Sequence, residues 1–447
     1  MYCTRNVSDS VVWVGASDRR LALFENLFPI PRGVSYNSYL ILDEKTALLD
    51  TTDASVTRQY LENVSHSLNG KPLDYLIINH MEPDHCANIA ELLLHYPHLT
   101  LVGNAKTFAF VSQFYDLDLT GRTLTVKEGD TLCLGSHTLH FFLAPMVHWP
   151  EVMVEYDEAD KILFSADGFG RFGALSQSCT YDAAGKAQDV LEHEWTGEAR
   201  RYFINIVGKY GANVQGLLKK AAVLDIEKIA PLHGPVLTGG LEYFLDKYAK
   251  WSSYQPEEKG VVVAYSSIHG NTKYVAEHFA SILKGQGEEN VAVFDLARAD
   301  MAQAVADSFR YDALVLAGIT YDGGLMPCME DFLYHLKMKN FQNRYAAVIE
   351  NGSWGPVSGR LMKSYLENMK NITICEDMVT IRSVMKKADG QALEKLAEKG
   401  LFEDLSPYLE KSQAVKRENF LQNILDAYTC NEKLIGIPAT FTVQTVI

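Results

Sequence analysis

Four side chains able to bind a metal fall within six residues of this sequence: His80, Glu82, Asp84 and His85, in Asn79-His80-Met81-Glu82-Pro83-Asp84-His85. Imidazole and carboxylate together suit a transition metal, and Pro83 stiffens the turn between them. Without a cation, four such groups at a strand end would be costly to bury. Three more residues of the same types each close an apolar run: His148 in Pro145-Met146-Val147-His148-Trp149-Pro150, Asp167 in Phe164-Ser165-Ala166-Asp167-Gly168, and His233 in Leu232-His233-Gly234. Four imidazoles and three carboxylates exceed what one metal takes, and they imply a pair of metals in a shared cleft. The histidines at 66, 95, 98, 137, 140, 193, 278 and 335 read as surface or core residues.

A second group of residues suits an anion. The apolar run Val261 to Tyr265 leads into Ser266-Ser267-Ile268-His269-Gly270-Asn271-Thr272 and then into helical Lys273 to Leu283. Hydroxyls, a glycine and a helix N-terminus present free amides and the positive end of a helix dipole to a phosphate. The loop lacks the Gly-x-x-x-x-Gly-Lys pattern of nucleotide triphosphatases and the Gly-x-Gly-x-x-Gly of dinucleotide folds. It looks like the phosphate loop of flavodoxins, which binds the FMN monophosphate. Two later strand ends would lie beside it: one carries Thr320, Tyr321, Asp322 and Gly323, the other Asn351, Gly352, Ser353, Trp354 and Gly355. Tyr321 and Trp354 could stack on an isoalloxazine ring.

The elements that must hold these groups follow from apolar periodicity. Ser35 to Leu42 and Thr46 to Asp50 read as a hairpin about Asp43-Glu44-Lys45; Val56 to Leu68 has helical spacing; Leu73 to Ile78 is the strand into the first metal motif; Ala87 to His95 is the helix after it. Strand follows strand from Leu101 to Phe164, then come helices over Val190 to Val207 and Asn213 to Leu224 and a short strand Ile226 to Ala230. Ser252 to Lys259 is polar, contains Pro256 and lacks either period, so it reads as a linker. Beyond it, strands at Val261 to Tyr265, Val291 to Asp295, Ala313 to Ala317, Tyr345 to Ile349 and Ile372 to Ile374 alternate with helices, the pattern of a doubly wound parallel sheet. The expected division is 1–252, a linker at 253–259, and 260–447.

Bulk properties narrow the classes. A chain of 447 residues with 47% hydrophobic content has material for two cores or more, and a net charge of -15 argues against a nucleic-acid or anionic-membrane binder. No run of about 18 apolar residues and no signal-like N-terminus is present, so the cytoplasm is the expected location. The seven cysteines are scattered with no Cys-x-x-Cys pair, so they read as reduced thiols, and a metal must rely on His and carboxylate.

The strand pattern and ligand order of the first part resemble the metallo-β-lactamase fold, an αββα sandwich whose motif is His-x-His-x-Asp-His after a strand. Here Glu82 stands where the second His would be. Carboxylate oxygen favours harder ions, and three carboxylates suit an iron pair cycling between diferrous and diferric. A metallo-β-lactamase-like domain followed by a flavodoxin-like domain resembles the flavodiiron proteins over nearly the whole chain. The resemblance implies one iron on His80, Glu82 and His148, another on Asp84, His85 and His233, Asp167 bridging, and FMN in the second domain.

It implies reduction of dioxygen to water or nitric oxide to nitrous oxide, with two electrons from the iron pair and two from reduced FMN. It further implies a head-to-tail homodimer or a dimer of dimers. The absence of Cys-x-x-Cys leads us to expect no fused rubredoxin, hence a separate donor: rubredoxin, or a reduced deazaflavin. Relatives often carry Gln-His where this chain has Arg171-Phe172. The competing readings are a zinc hydrolase with an accessory flavodoxin domain and a flavin electron-transfer or redox-sensing module.

Overall fold

The computed structural model describes residues 2–176 and 178–400 and the short strands Thr429–Cys430 and Lys433–Leu434; the rest of the expected 260–447 domain lies outside the described residues. The chain forms two compact units, one of Met1–Glu257 with Asp300–Phe309, the other of Glu258–Ala299 with Arg310–Ile447.

The first unit is built on two seven-stranded sheets. One runs in the order Arg5–Asn6, Val11–Trp13, Tyr39–Leu42, Thr46–Leu49, Tyr75–Ile77, Thr100–Gly103, Thr123–Thr125; the other runs Thr131–Cys133, Thr138–Leu143, Met153–Asp157, Ile162–Phe164, Lys228–Ala230, Val236–Gly239, Thr180–Asp182. Side chains alternate across a strand, so the inner strands of the first sheet feed two cores. Ala47, Leu49 and Ile77 enter a core shared with Phe141, Met153 and Phe164 of the second sheet. Leu48, Leu76 and Leu101 face the other way, onto Tyr60, Val64 and Leu68 of the helix Thr57–Leu68 and Ile89 and Leu92 of the helix Ile89–His95. This is the αββα sandwich expected.

Ser35 to Leu42 is not one strand. Val34–Tyr36 pairs with Ala16–Asp18 in a separate ribbon, and Tyr39–Leu42 joins the main sheet. The break falls at Asn37, whose buried side chain accepts from Trp13 Nε1 at 2.8 Å and donates to the carbonyls of Pro231 and Gly234, both at 2.7 Å. The polar demands of Asn37 outweigh strand continuity, and they tie this break to the loop carrying His233.

In the second unit five parallel strands lie in the order Val291–Asp295, Glu258–Tyr265, Tyr311–Tyr321, Arg344–Asn351, Ile372–Ile381. The strands at Tyr311–Tyr321 and Ile372–Ile381 run well beyond the apolar cores expected for them, because backbone pairing continues past the buried stretch. Val261, Val263, Val315 and Ile349 are covered by the helices Asn271–Gly285 and Lys387–Gly400. The first strand is flanked by the second and third, which makes the carboxyl ends of Glu258–Tyr265 and Tyr311–Tyr321 a topological switch point.

Candidate metal centre and flavin cradle

The seven ligand-type residues of the first unit converge. Glu82 and Asp84 flank Pro83, the first residue of the short helix Pro83–Cys86, which lifts Asp84 and His85 toward the strand ends. Behind them, Asp50 at the end of Thr46–Leu49 accepts from the backbone N–H of Asn79 (2.8 Å) and of His80 (3.1 Å). Asp167 follows Ile162–Phe164 in a turn closed by Ser165 Oγ donating to the Gly168 carbonyl at 2.6 Å.

Two sets result, each with ligand atoms within 4.8 Å of one another: His80, Glu82, His148 and Asp167; and Asp84, His85 and His233. Asp167 spans them. Its Oδ2 is 3.1 Å from His148 Nε2 and 3.5 Å from His80 Nε2, and its Oδ1 is 3.3 Å from His85 Nε2 and 3.7 Å from His233 Nε2. Asp167 is 1% exposed and neither oxygen has a hydrogen-bond partner; the same is true of both oxygens of the buried Asp84. The Nε2 atoms of His85 and His233 face each other at 3.1 Å. Acceptors turned on acceptors in a dry interior are reconciled by a cation, and mixed imidazole and carboxylate sets, with Asp167 reaching both, suit a pair of iron ions.

The electrostatics agree. Burial works against charge on His85 and His148, yet Asp84 and Asp167 beside the first, and Asp167 and Glu82 beside the second, raise each to about 9. Burial likewise disfavours ionised Asp167 and Glu82, but the surrounding imidazoles hold both carboxyls well below the usual range. At His85 and His148 the neighbouring carboxylates favour positive charge on the ring, and a metal ion can take the place of that proton.

Sequence reasoning missed the residues that aim these groups. Glu151 Oε1 accepts from His80 Nδ1 at 2.8 Å, and the Ser35 carbonyl accepts from His233 Nδ1 at 2.8 Å, leaving Nε2 of each ring for the cleft. Tyr202 has a fully buried hydroxyl without a partner, and Asp167, Asp84 and Glu82 add to burial in raising its pKa. No local pattern marks these residues, because each acts on a ring supplied by a distant segment. Arg171, noted for its departure from relatives, is half-buried, with its Cγ against Gly234. His137, read as a packing residue, is buried with Nδ1 2.9 Å from Asp157 Oδ2.

In the second unit a cavity of about 490 Å³ opens at the switch point. Of the expected flavin contacts, Ser267, Ile268, His269, Asn271, Thr272, Thr320, Tyr321, Asp322, Gly323, Asn351, Gly352, Ser353, Trp354 and Gly355 line it. Ser266 is buried beneath the loop and Gly270 caps the helix; Ile319 and Ser383 line the cavity in addition. Ser383 follows the fourth loop-bearing strand, which the sequence reading ended seven residues too early to find. Gly270 sits at φ 87° and offers no side chain to the first-turn amides of Asn271–Gly285, so they remain free for a phosphate. Thr320 Oγ1 accepts from the N–H groups of Val357 and Ser358 at 2.9 and 3.1 Å, fixing the adjoining loop. Trp354 is 87% exposed at the rim, as a ring that covers a flavin would be before it binds. The cradle fits FMN.

Fold and site together define a β-lactamase-type metal domain followed by a flavodoxin domain. Residues 34–234 match the ODP family beta lactamase model, and 262–353 match a flavodoxin domain model. The chain is 26% identical over 442 residues to the anaerobic nitric oxide reductase flavorubredoxin of Vibrio vulnificus, covering 98% of this chain and 85% of the relative. It aligns with the rubredoxin oxygen:oxidoreductase of Desulfovibrio gigas at a TM-score of 0.81 and 26% identity, over 88% of this chain and 97% of the other. The flavodiiron protein of Giardia intestinalis shares the fold, at a TM-score of 0.80 and 23% identity, over 88% and 95% of the respective chains. In domain order, in its relatives and in its fold, the chain is similar to the flavodiiron proteins.

Proposed function

We propose that this chain reduces dioxygen to water or nitric oxide to nitrous oxide at a diiron site within residues 1–252, with electrons relayed through FMN held by residues 260–447. The observation that carries the reading is Asp167 reaching both ligand sets, with Glu82 in place of a zinc-type histidine. His80, Glu82 and His148 would hold one iron, Asp84, His85 and His233 the other, and Asp167 both. The iron pair and FMN supply the electrons when bound. The chain's own part is to hold two metal positions side by side so that both ends of a dioxygen, or two nitric oxide molecules, are engaged at once. Glu151 and the Ser35 carbonyl keep His80 and His233 in the metal-binding tautomer, and burial of the ligand set excludes bulk water. Tyr202, whose ring lies 5.4 Å from that of His233, has a buried hydroxyl with no hydrogen-bond partner and could donate a proton at this site.

The same proposal includes a separate electron donor, rubredoxin first and a reduced deazaflavin second, supported by the rubredoxin named in the Desulfovibrio gigas protein. It includes a head-to-tail homodimer or dimer of dimers and a cytoplasmic location, the latter supported by six free cysteines among the described residues. No described helix is long and apolar enough to cross a membrane. Glu82 weighs against the zinc hydrolase. The deciding experiment compares initial rates of dioxygen and nitric oxide consumption under one reducing system. Consumption of at least one gas, abolished by Asp84→Ala, supports the reading; flavin turnover that survives Asp84→Ala with neither gas consumed leaves only an electron-transfer module.

A further inference from the structure

The cavity of the second unit is lined by hydroxyls, amides and aromatic rings, and among its lining residues neither lysine nor arginine appears. Asp322 is the one acid there and His269 the one side chain that can carry positive charge. Lys273, further along the helix Asn271–Gly285, lies 3.7 Å from Glu277, and His278 stacks on Tyr274, so neither faces the loop without a partner of its own. His269 is exposed on the loop between Ser267 and the helix N-terminus, where a phosphate meets free amides.

Resting on the flavin reading above, we propose that protonated His269 is the counter-ion of the FMN phosphate and the residue that makes this cradle prefer FMN to riboflavin. The helix amides supply hydrogen bonds and partial charge, but a phosphate dianion brings more negative charge than they offset. An imidazolium beside it is favoured by that dianion, so FMN binding is linked to uptake of a proton by the imidazole. FMN binding therefore weakens as pH rises. The phosphate's own ionisation, with its second pKa near 6, works in the opposite direction, since more dianion forms as pH rises. The sign of the pH dependence thus separates the two causes.

The test titrates the full chain, freed of flavin, with FMN and with riboflavin at about pH 6.5 and about pH 8.5 and at low, constant ionic strength, following flavin fluorescence. FMN should bind several-fold more weakly at the higher pH, up to a limit of roughly tenfold per pH unit set by one linked proton, while riboflavin affinity stays level. His269→Gln should show the weaker FMN affinity at both values, and His269→Lys the tighter one at both. An FMN to riboflavin ratio that does not fall with pH, or a His269→Gln variant that keeps the wild-type pH dependence, overturns the proposal. Failure of both flavins to bind at either pH overturns the flavin reading itself, and this proposal with it.

Discussion

Glu151 accepts a 2.8 Å hydrogen bond from Nδ1 of His80 and a 2.9 Å bond from the backbone N–H of Met81 through the same oxygen. One buried carboxylate thereby fixes the tautomer of a metal-facing ring and the course of the loop that bears it. Glu151→Ala should weaken metal binding by roughly 10–100-fold, read by competition with a chromophoric chelator. Glu151→Gln, which keeps an acceptor oxygen, should lose less. Equal affinity in all three proteins would mean that the contact serves folding alone.

Asp167 reaches both ligand sets, whereas Glu82 belongs to one and Asp84 to the other. Metal analysis of purified variants should therefore find both iron positions depleted in Asp167→Ala, and chiefly one position depleted in Glu82→Ala or Asp84→Ala. A full metal complement in Asp167→Ala would remove it from the bridging role.

Much of this arrangement was legible in the sequence. Ligand types at the ends of apolar runs sufficed to mark the seven residues that the structure brings together, because a strand end is where a polar side chain can leave the core without breaking it. The parallel sheet was equally plain, since Val261 to Tyr265 is apolar on both faces. What escaped was the support: Asp50, Glu151, Asn37 and the Ser35 carbonyl act on groups far away in sequence, so no spacing reveals them. Ser35 to Leu42 was legible only as apolar alternation, and the hydrogen-bonding of Asn37 cut it in two.

Glu155 lies between the two sheets, opposite Phe141 and Phe164, fully buried, with no hydrogen-bond partner for either oxygen. Burial, with the charge of Asp50, raises its carboxyl well above the ordinary value. The folded protein thus favours the protonated acid, and stability falls as pH rises above the unfolded value of about 4.3. Glu155→Gln has no proton to lose. Its advantage in Tm should be absent near pH 4 and grow toward pH 8, at roughly 2–4 °C per kcal/mol for a domain of this size. A constant offset across that range would contradict the assignment.

Glu257 shows the opposite sign. Burial opposes its charge, but Arg200 and Lys247 outweigh that and lower it to about 2. Lys247 Nζ donates to Glu257 Oε2 at 2.9 Å and Trp251 Nε1 donates to Oε1 at 2.6 Å. The stabilisation is present above the unfolded value of about 4.3 and is lost as pH falls toward 2; it amounts to on the order of 3 kcal/mol. Chemical denaturation should find Glu257→Gln less stable than wild type by about that amount at neutral pH, and the two curves should converge in acid. A gap that persists unchanged to the lowest pH would assign the loss to packing.

The central claim, a diiron site supplied by FMN, is tested most directly by the metal and flavin content of the purified full-length chain. The expected protein is yellow, with a pair of iron ions and one FMN per chain, and loses both irons in Asp167→Ala. A colourless protein that holds zinc in place of iron and no flavin would contradict it.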